Sequence, residues 1–89
     1  MTKLSGGTVL RKSIVSKINY EVEYIEYDNQ LVQGSVTTLF LKNPVSQQEP
    51  QFKKNEILEF QYSNSQENRI FQIVSVEGPT KLKVKQISA

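Results

Sequence analysis

Hydrophobic residues alternate with polar ones over much of this chain, and a period of two predicts β-strands. The alternation is strictest from Lys81 to Ile87, where Leu82 and Val84 take one face and Lys81, Lys83 and Lys85 the other. Ile57 to Tyr62 reads the same way, with Leu58, Phe60 and Tyr62 inward and Glu59 and Gln61 outward. Arg69 to Val76 is apolar on both faces, which predicts a strand that is central or covered on both sides. Polar turns at Ser63–Asn68 and Glu77–Thr80 separate these three segments.

The first half offers two periods at once. Ile14, Val15, Ile18, Val22 and Ile25 fall at helical spacing, while Leu10, Ile14, Ile18, Tyr20, Val22 and Tyr24 all occupy even positions with polar residues between them. Only Val15 breaks the second pattern. Ile, Val and Tyr dominate, and branched and aromatic side chains pack better on a pleated surface than around a helix. The reading is therefore a long strand or strand pair from about Val9 to Tyr27. Its apolar parity changes at Tyr24-Ile25, which predicts a β-bulge or sharp bend.

Asp28-Asn29-Gln30 suits a hairpin turn. The next strand runs from about Leu31 to Lys42, with Val32, Val36 and Phe40 pointing one way and Gly34 marking a bulge or barrel corner. Asn43 to Gln51 contains Pro44 and Pro50 and reads as an exposed loop, long for a small domain. Residues 1–7, which include Gly6-Gly7, read as a flexible N-terminal segment. Five or six strands joined mostly by short turns predict one all-β domain. The expected form is a small antiparallel barrel, SH3-like or OB-like, with a compact β-sandwich as the alternative. A short helix near the N-terminus or within 43–53 is compatible with this outline.

The stretch KKNEILEFQYSNSQENRIFQI, under a quarter of the chain, carries one resemblance. It is similar to the Gly-Asp-x-Val-x-Val-x-Tyr strand and following turn that recur in small β-barrel modules, including domains of phage head–tail connectors. The Gly-Asp lead is replaced here by Lys54-Asn55-Glu56. The resemblance implies a strand and turn at this place and transfers no functional residue.

Composition narrows the chemistry. The 89 residues make one domain and include no Cys, His or Trp. Disulfides and the usual zinc, haem and iron–sulfur sites are thereby excluded, and no cofactor is expected. The longest aliphatic or aromatic run, Leu39-Phe40-Leu41, is far too short for a membrane span or the apolar stretch of a signal peptide. The expected location is cytoplasmic, or inside a virion if the gene is viral. The net charge is only +2, but it is unevenly laid out. Lys3, Arg11, Lys12 and Lys17 come first, Glu21, Glu23, Glu26 and Asp28 follow, and Lys81, Lys83 and Lys85 close the chain. A dipolar surface follows from such blocks.

Catalysis finds little support. Without His or Cys, a Ser or Thr nucleophile would need Lys, Asp or Glu as its base, and the chain has neither a Ser-x-x-Lys arrangement nor a phosphate-binding glycine loop. The acidic set reads as a solvated face, because no turn-forming Gly completes a calcium loop. Two places could bind a partner. Phe52, Lys53 and Lys54 put an aromatic beside two bases at the end of the long loop. Lys81, Lys83 and Lys85 form a basic stripe, which is either a contact surface for phosphate or an acidic partner or a guard on an edge strand. Tyr20, Tyr24, Phe40, Phe60 and Phe71 have inward parity and are assigned to the core. The expected function is a non-catalytic protein-interaction or assembly module. The alternative is a nucleic-acid-binding barrel whose basic face joins Arg11, Lys12 and Lys17 to the stripe, and an edge-strand oligomer is a third reading.

Overall fold

In the computed structural model the described residues are 2–12, 18–28, 32–62 and 68–88. They form seven strands, β1 (Thr2–Ser5), β2 (Thr8–Arg11), β3 (Asn19–Tyr27), β4 (Val36–Leu41), β5 (Ile57–Gln61), β6 (Asn68–Val76) and β7 (Lys81–Ser88). All pairings are antiparallel. The sheet runs β1-β3-β2-β5-β6-β7-β4, and pairing of β3 with β4 closes it. The result is a six-stranded barrel, in the circular order β2-β3-β4-β7-β6-β5, with β1 as one extra strand. Closure excludes the sandwich. Among the described residues no helix is long and apolar enough to cross a membrane.

The interior follows the alternation. Leu82, Val84 and Gln86 of β7, Phe71 and Ile73 of β6, and Leu58 and Phe60 of β5 are buried. A barrel of this size is filled by side chains and holds no channel. β6 is central, between β5 and β7, but its outer face is not covered: Ile70 and Val74 are half-buried and Val76 is exposed. The 43–51 loop is exposed apart from partly buried Val45 and Glu49, and Val45 packs on the core. At its end Asn55 takes a left-handed conformation, φ 73°. Asn tolerates that region better than most residues, so it serves where the related motif has Gly. The strand implied by that motif is present as β5, paired with β6, and the expected turn at Ser63–Asn68 lies largely outside the described residues.

Four expectations change in the first half. The N-terminal segment forms β1, paired with β3 from Thr2↔Tyr27 to Ser5↔Tyr24, in place of a flexible tail. Gly6 and Gly7, at φ 88° and 98°, break the line between β1 and β2. In β2 the inward residues are Val9 and Arg11, and Leu10 is only half-buried. The bulge expected at Tyr24-Ile25 lies slightly earlier, as a register shift between Val22 and Tyr24. Val22 and Ile25 therefore both point in, and Tyr24 points out. In β4 the inward face is Thr37, Leu39 and Leu41, not Val36 and Phe40. Register explains this last reversal, because Leu39 lies beside Ile25 on one side and Leu82 on the other. The helix–strand competition over 12–27 resolves to strand for Asn19–Tyr27, while residues 13–17 and most of the expected turn at 28–30 lie outside the described residues.

Candidate interaction surface

The end of the long loop is fastened by a charge turned inward. Arg11 is 1% exposed. Its Nε and Nη2 donate to both carboxylate oxygens of Glu56, at 2.6 and 2.7 Å. Nη1 donates to the Pro50 carbonyl and, at 3.4 Å, to the Tyr20 hydroxyl, and Nη2 donates to the Gln51 carbonyl at 3.2 Å. The guanidinium lies 4.4 Å over the Phe52 ring, which in turn packs on Tyr20 at 5.4 Å. Burial is the largest single influence on this guanidinium and lowers its pKa. The hydrogen bonds and charge of Glu56, with help from Tyr20, outweigh burial and leave the pKa raised. Arg11 is thus a structural cation, removed from any basic surface, and Phe52 is a core residue that presents no exposed ring. Lys53 and Lys54 are exposed beside it, at the rim of a concavity of about 310 Å³ lined also by Pro50, Gln51 and Asn55.

The lysine stripe sits on the opposite wall. β7 lies between β6 and β4, so it is not an edge strand, and guarding an edge does not explain three lysines there. Pairing fixes what surrounds them. Lys81 pairs with Phe40, Lys83 with Thr38 and Lys85 with Val36. One strand further, Phe40 pairs with Tyr24 and Thr38 with Glu26. Cross-strand partners share a face, so the outer wall carries three columns, and beyond β3 the strand β1 sets Lys3 opposite Glu26. Tyr24 and Glu26 stand on β3, with Asp28 just beyond its end. Phe40, Thr38 and Val36 stand on β4, and Lys81, Lys83 and Lys85 on β7.

Tyr24 and Phe40 stack at 4.5 Å, with Lys3 4.9 Å over the first ring and Lys81 5.8 Å over the second. A shallow concavity of about 190 Å³ crosses the columns, lined by Glu26, Tyr27, Asp28, Val36, Thr37, Thr38 and Lys83. Val36 is 50% exposed. The ion pairs among described residues are Arg11–Glu56, Lys12–Glu59 at 3.6 Å and Lys42–Glu21 at 3.8 Å. None of them involves Glu26, Asp28, Lys81, Lys83 or Lys85, although the Lys42–Glu21 pair lies further along β3 and just past the end of β4.

The two candidate regions from sequence do not merge, because Lys53-Lys54 lead into β5, which β6 separates from β7. Nor does the expected union of Arg11, Lys12 and Lys17 with the stripe occur. Arg11 is buried, β2 faces β7 across the barrel, and Lys17 lies outside the described residues. Parity assigns Tyr24 and Phe40 to the core, whereas the structure stacks them as a pair on the outer wall. The signal that would have placed it outside is Leu39-Phe40-Leu41, in which two leucines compete with one ring for the interior. No family model, curated protein or solved structure matches this chain.

Proposed function

We propose that this chain is a non-catalytic protein-interaction module that works through the outer wall of β3, β4 and β7. The supporting observation is the placement of Lys81, Lys83 and Lys85 on a strand paired on both sides, next to a stacked aromatic pair and without a carboxylate partner among the described residues. An apolar centre bounded by charge has the anatomy of an interface patch. Lys53 and Lys54 offer a second, smaller contact on the loop side. Immobilised protein is expected to capture a partner from native lysate, and a variant with Lys81, Lys83 and Lys85 all changed to Glu is expected to lose it. Equal capture by both, or none by the wild type, removes this reading.

A second reading, a nucleic-acid-binding barrel, rests on the same aromatic pair flanked by lysines, an arrangement on which bases stack. It predicts salt-sensitive shifts at Tyr24, Phe40 and Lys83 when oligonucleotides are titrated at low salt. A flat titration removes it. Glu26 and Asp28 on the same wall weigh against a polyanion and favour a protein.

A further inference from the structure

The wall described above is not uniformly charged, and its signs are sorted by strand. Glu26 and Asp28 lie on one side of β4, and Lys83 and Lys85 on the other. Neighbouring strands are about 4.8 Å apart, so the acidic and basic columns stand about 10 Å apart across β4. The column between them carries no charge and includes the half-exposed Val36, with Val32, 48% exposed, just before it. Among the described residues Glu21, Glu56 and Glu59 have a basic partner, whereas the charges of these two columns form no ion pair, as is also true of Glu23, Glu49 and Glu77.

This order is complementary to itself. If a second copy is turned through a half-circle about an axis lying on the wall and parallel to β4, its β4 comes to rest on β4. Its β3 then lies over β7, and its β7 over β3. Glu26 meets the partner's Lys83 and Asp28 meets the partner's Lys85. Tyr24 meets the partner's Lys81, which already favours an aromatic face. Every contact off the axis occurs twice, as a two-fold interface requires. Here we infer that the partner this wall fits is a second copy of the chain, joined through β4 with acidic and basic columns crossed. The inference rests on reading the wall as a protein-binding surface. The patch spans three strands and about three residue pairs along each, well below the roughly 800 Å² per partner of a stable interface. The dimer is therefore weak, concentration-dependent and loosened by salt.

The test is sedimentation of the full chain from about 10 µM to about 1 mM at low salt. A reversible monomer–dimer equilibrium is expected. Glu26→Lys and Lys83→Glu should each weaken it at least about tenfold, because each sets like charges opposite one another twice. An equimolar mixture of the two variants should recover dimer, since every crossed contact then joins opposite charges. Circular dichroism and a thermal melt establish that both variants are folded. A wild type that is monomeric throughout overturns the inference, and so does a mixture of folded variants that stays monomeric. A monomer that binds oligonucleotide through Lys83 overturns it in favour of nucleic acid. A monomer that captures a different protein through Lys83 overturns self-pairing alone and leaves the proposed function standing.

Discussion

Two opposite walls of this barrel use the same kinds of residue for opposite ends. On the β2 side an Arg, a Glu, a Phe and a Tyr are folded inward, and every donor of the guanidinium has an acceptor. On the β7 side lysines, a Glu, a Phe and a Tyr face outward, and the charges have no partner of opposite sign among the described residues. The first arrangement is closed: removing one member leaves buried groups without their partner. The second is open, and its groups are already solvated. Residue type therefore says little about role here, whereas burial and partner supply say a great deal. Changes on the two walls should separate cleanly into effects on stability and effects on association.

The largest effect is expected from Glu56→Ala. It leaves a buried guanidinium without its anion, which costs about 3–5 kcal/mol. The carbonyls of Pro50 and Gln51 retain part of the cation's hydrogen bonding, so the low end is expected. Urea unfolding should show the midpoint falling. Replacing the pair together, Arg11→Met with Glu56→Leu, should be far milder, because no charge is left buried. A raised pKa means that the contribution of Arg11 is fully present below its unfolded value and fades only as pH climbs through the still higher folded one. The pair should therefore hold through neutral and mildly alkaline pH. If Glu56→Ala costs under about 1 kcal/mol, the two walls do not differ as described.

Next come two glycines with similar backbones and different surroundings. Gly7 has φ 98°, and a Cβ there would lie 2.8 Å from Phe60 Cε1 and 2.9 Å from the Gln61 carbonyl oxygen. Gly34 has φ 91°, with nothing within 4 Å of the same atom. Gly7→Ala should cost about 3 kcal/mol, from backbone strain plus overpacking against the core ring. Gly34→Ala should cost about 1 kcal/mol from strain alone. Thermal melts of the pair isolate the contact. Equal losses would mean that Phe60 yields without cost.

How much of this could be read beforehand depended on whether a strand's two faces differed in polarity. In β7 the lysines leave no choice: the alternation puts Leu82 and Val84 inside and the lysines outside, as they are in the structure. In β4, Val36 and Phe40 on one face compete with Leu39 and Leu41 on the other, and local pattern alone chose wrongly. The deciding information is the register with Ile25 and Leu82, which is non-local. The bulge was legible as a change of parity. Its exact residue was not, and a shift by one position was enough to turn Tyr24 from the core to the surface. Arg11 is illegible for a further reason. A charged residue is taken as exposed unless its partner is known, and Glu56 lies 45 positions away. The lysine stripe was seen, but its meaning hung on whether β7 was an edge, and only closure of the barrel answers that.

The smallest effect on stability, and the one that bears hardest on the contrast, is expected from Lys83→Glu. Lys83 is exposed, has no carboxylate within ion-pair distance among the described residues, and pairs across the strand with Thr38. Its substitution should move unfolding free energy by no more than about 0.5 kcal/mol, the range of a surface change that breaks no specific contact. The sign should be slightly unfavourable, since the new carboxylate stands about 10 Å from Glu26 across β4, near enough for weak repulsion at low salt. That penalty should vanish in about 1 M salt, where screening reaches only about 3 Å. Denaturation curves at the two salt concentrations read both quantities. A loss well above 1 kcal/mol that survives high salt would make Lys83 a structural residue like Arg11, and the open wall would then be as closed as the one opposite it.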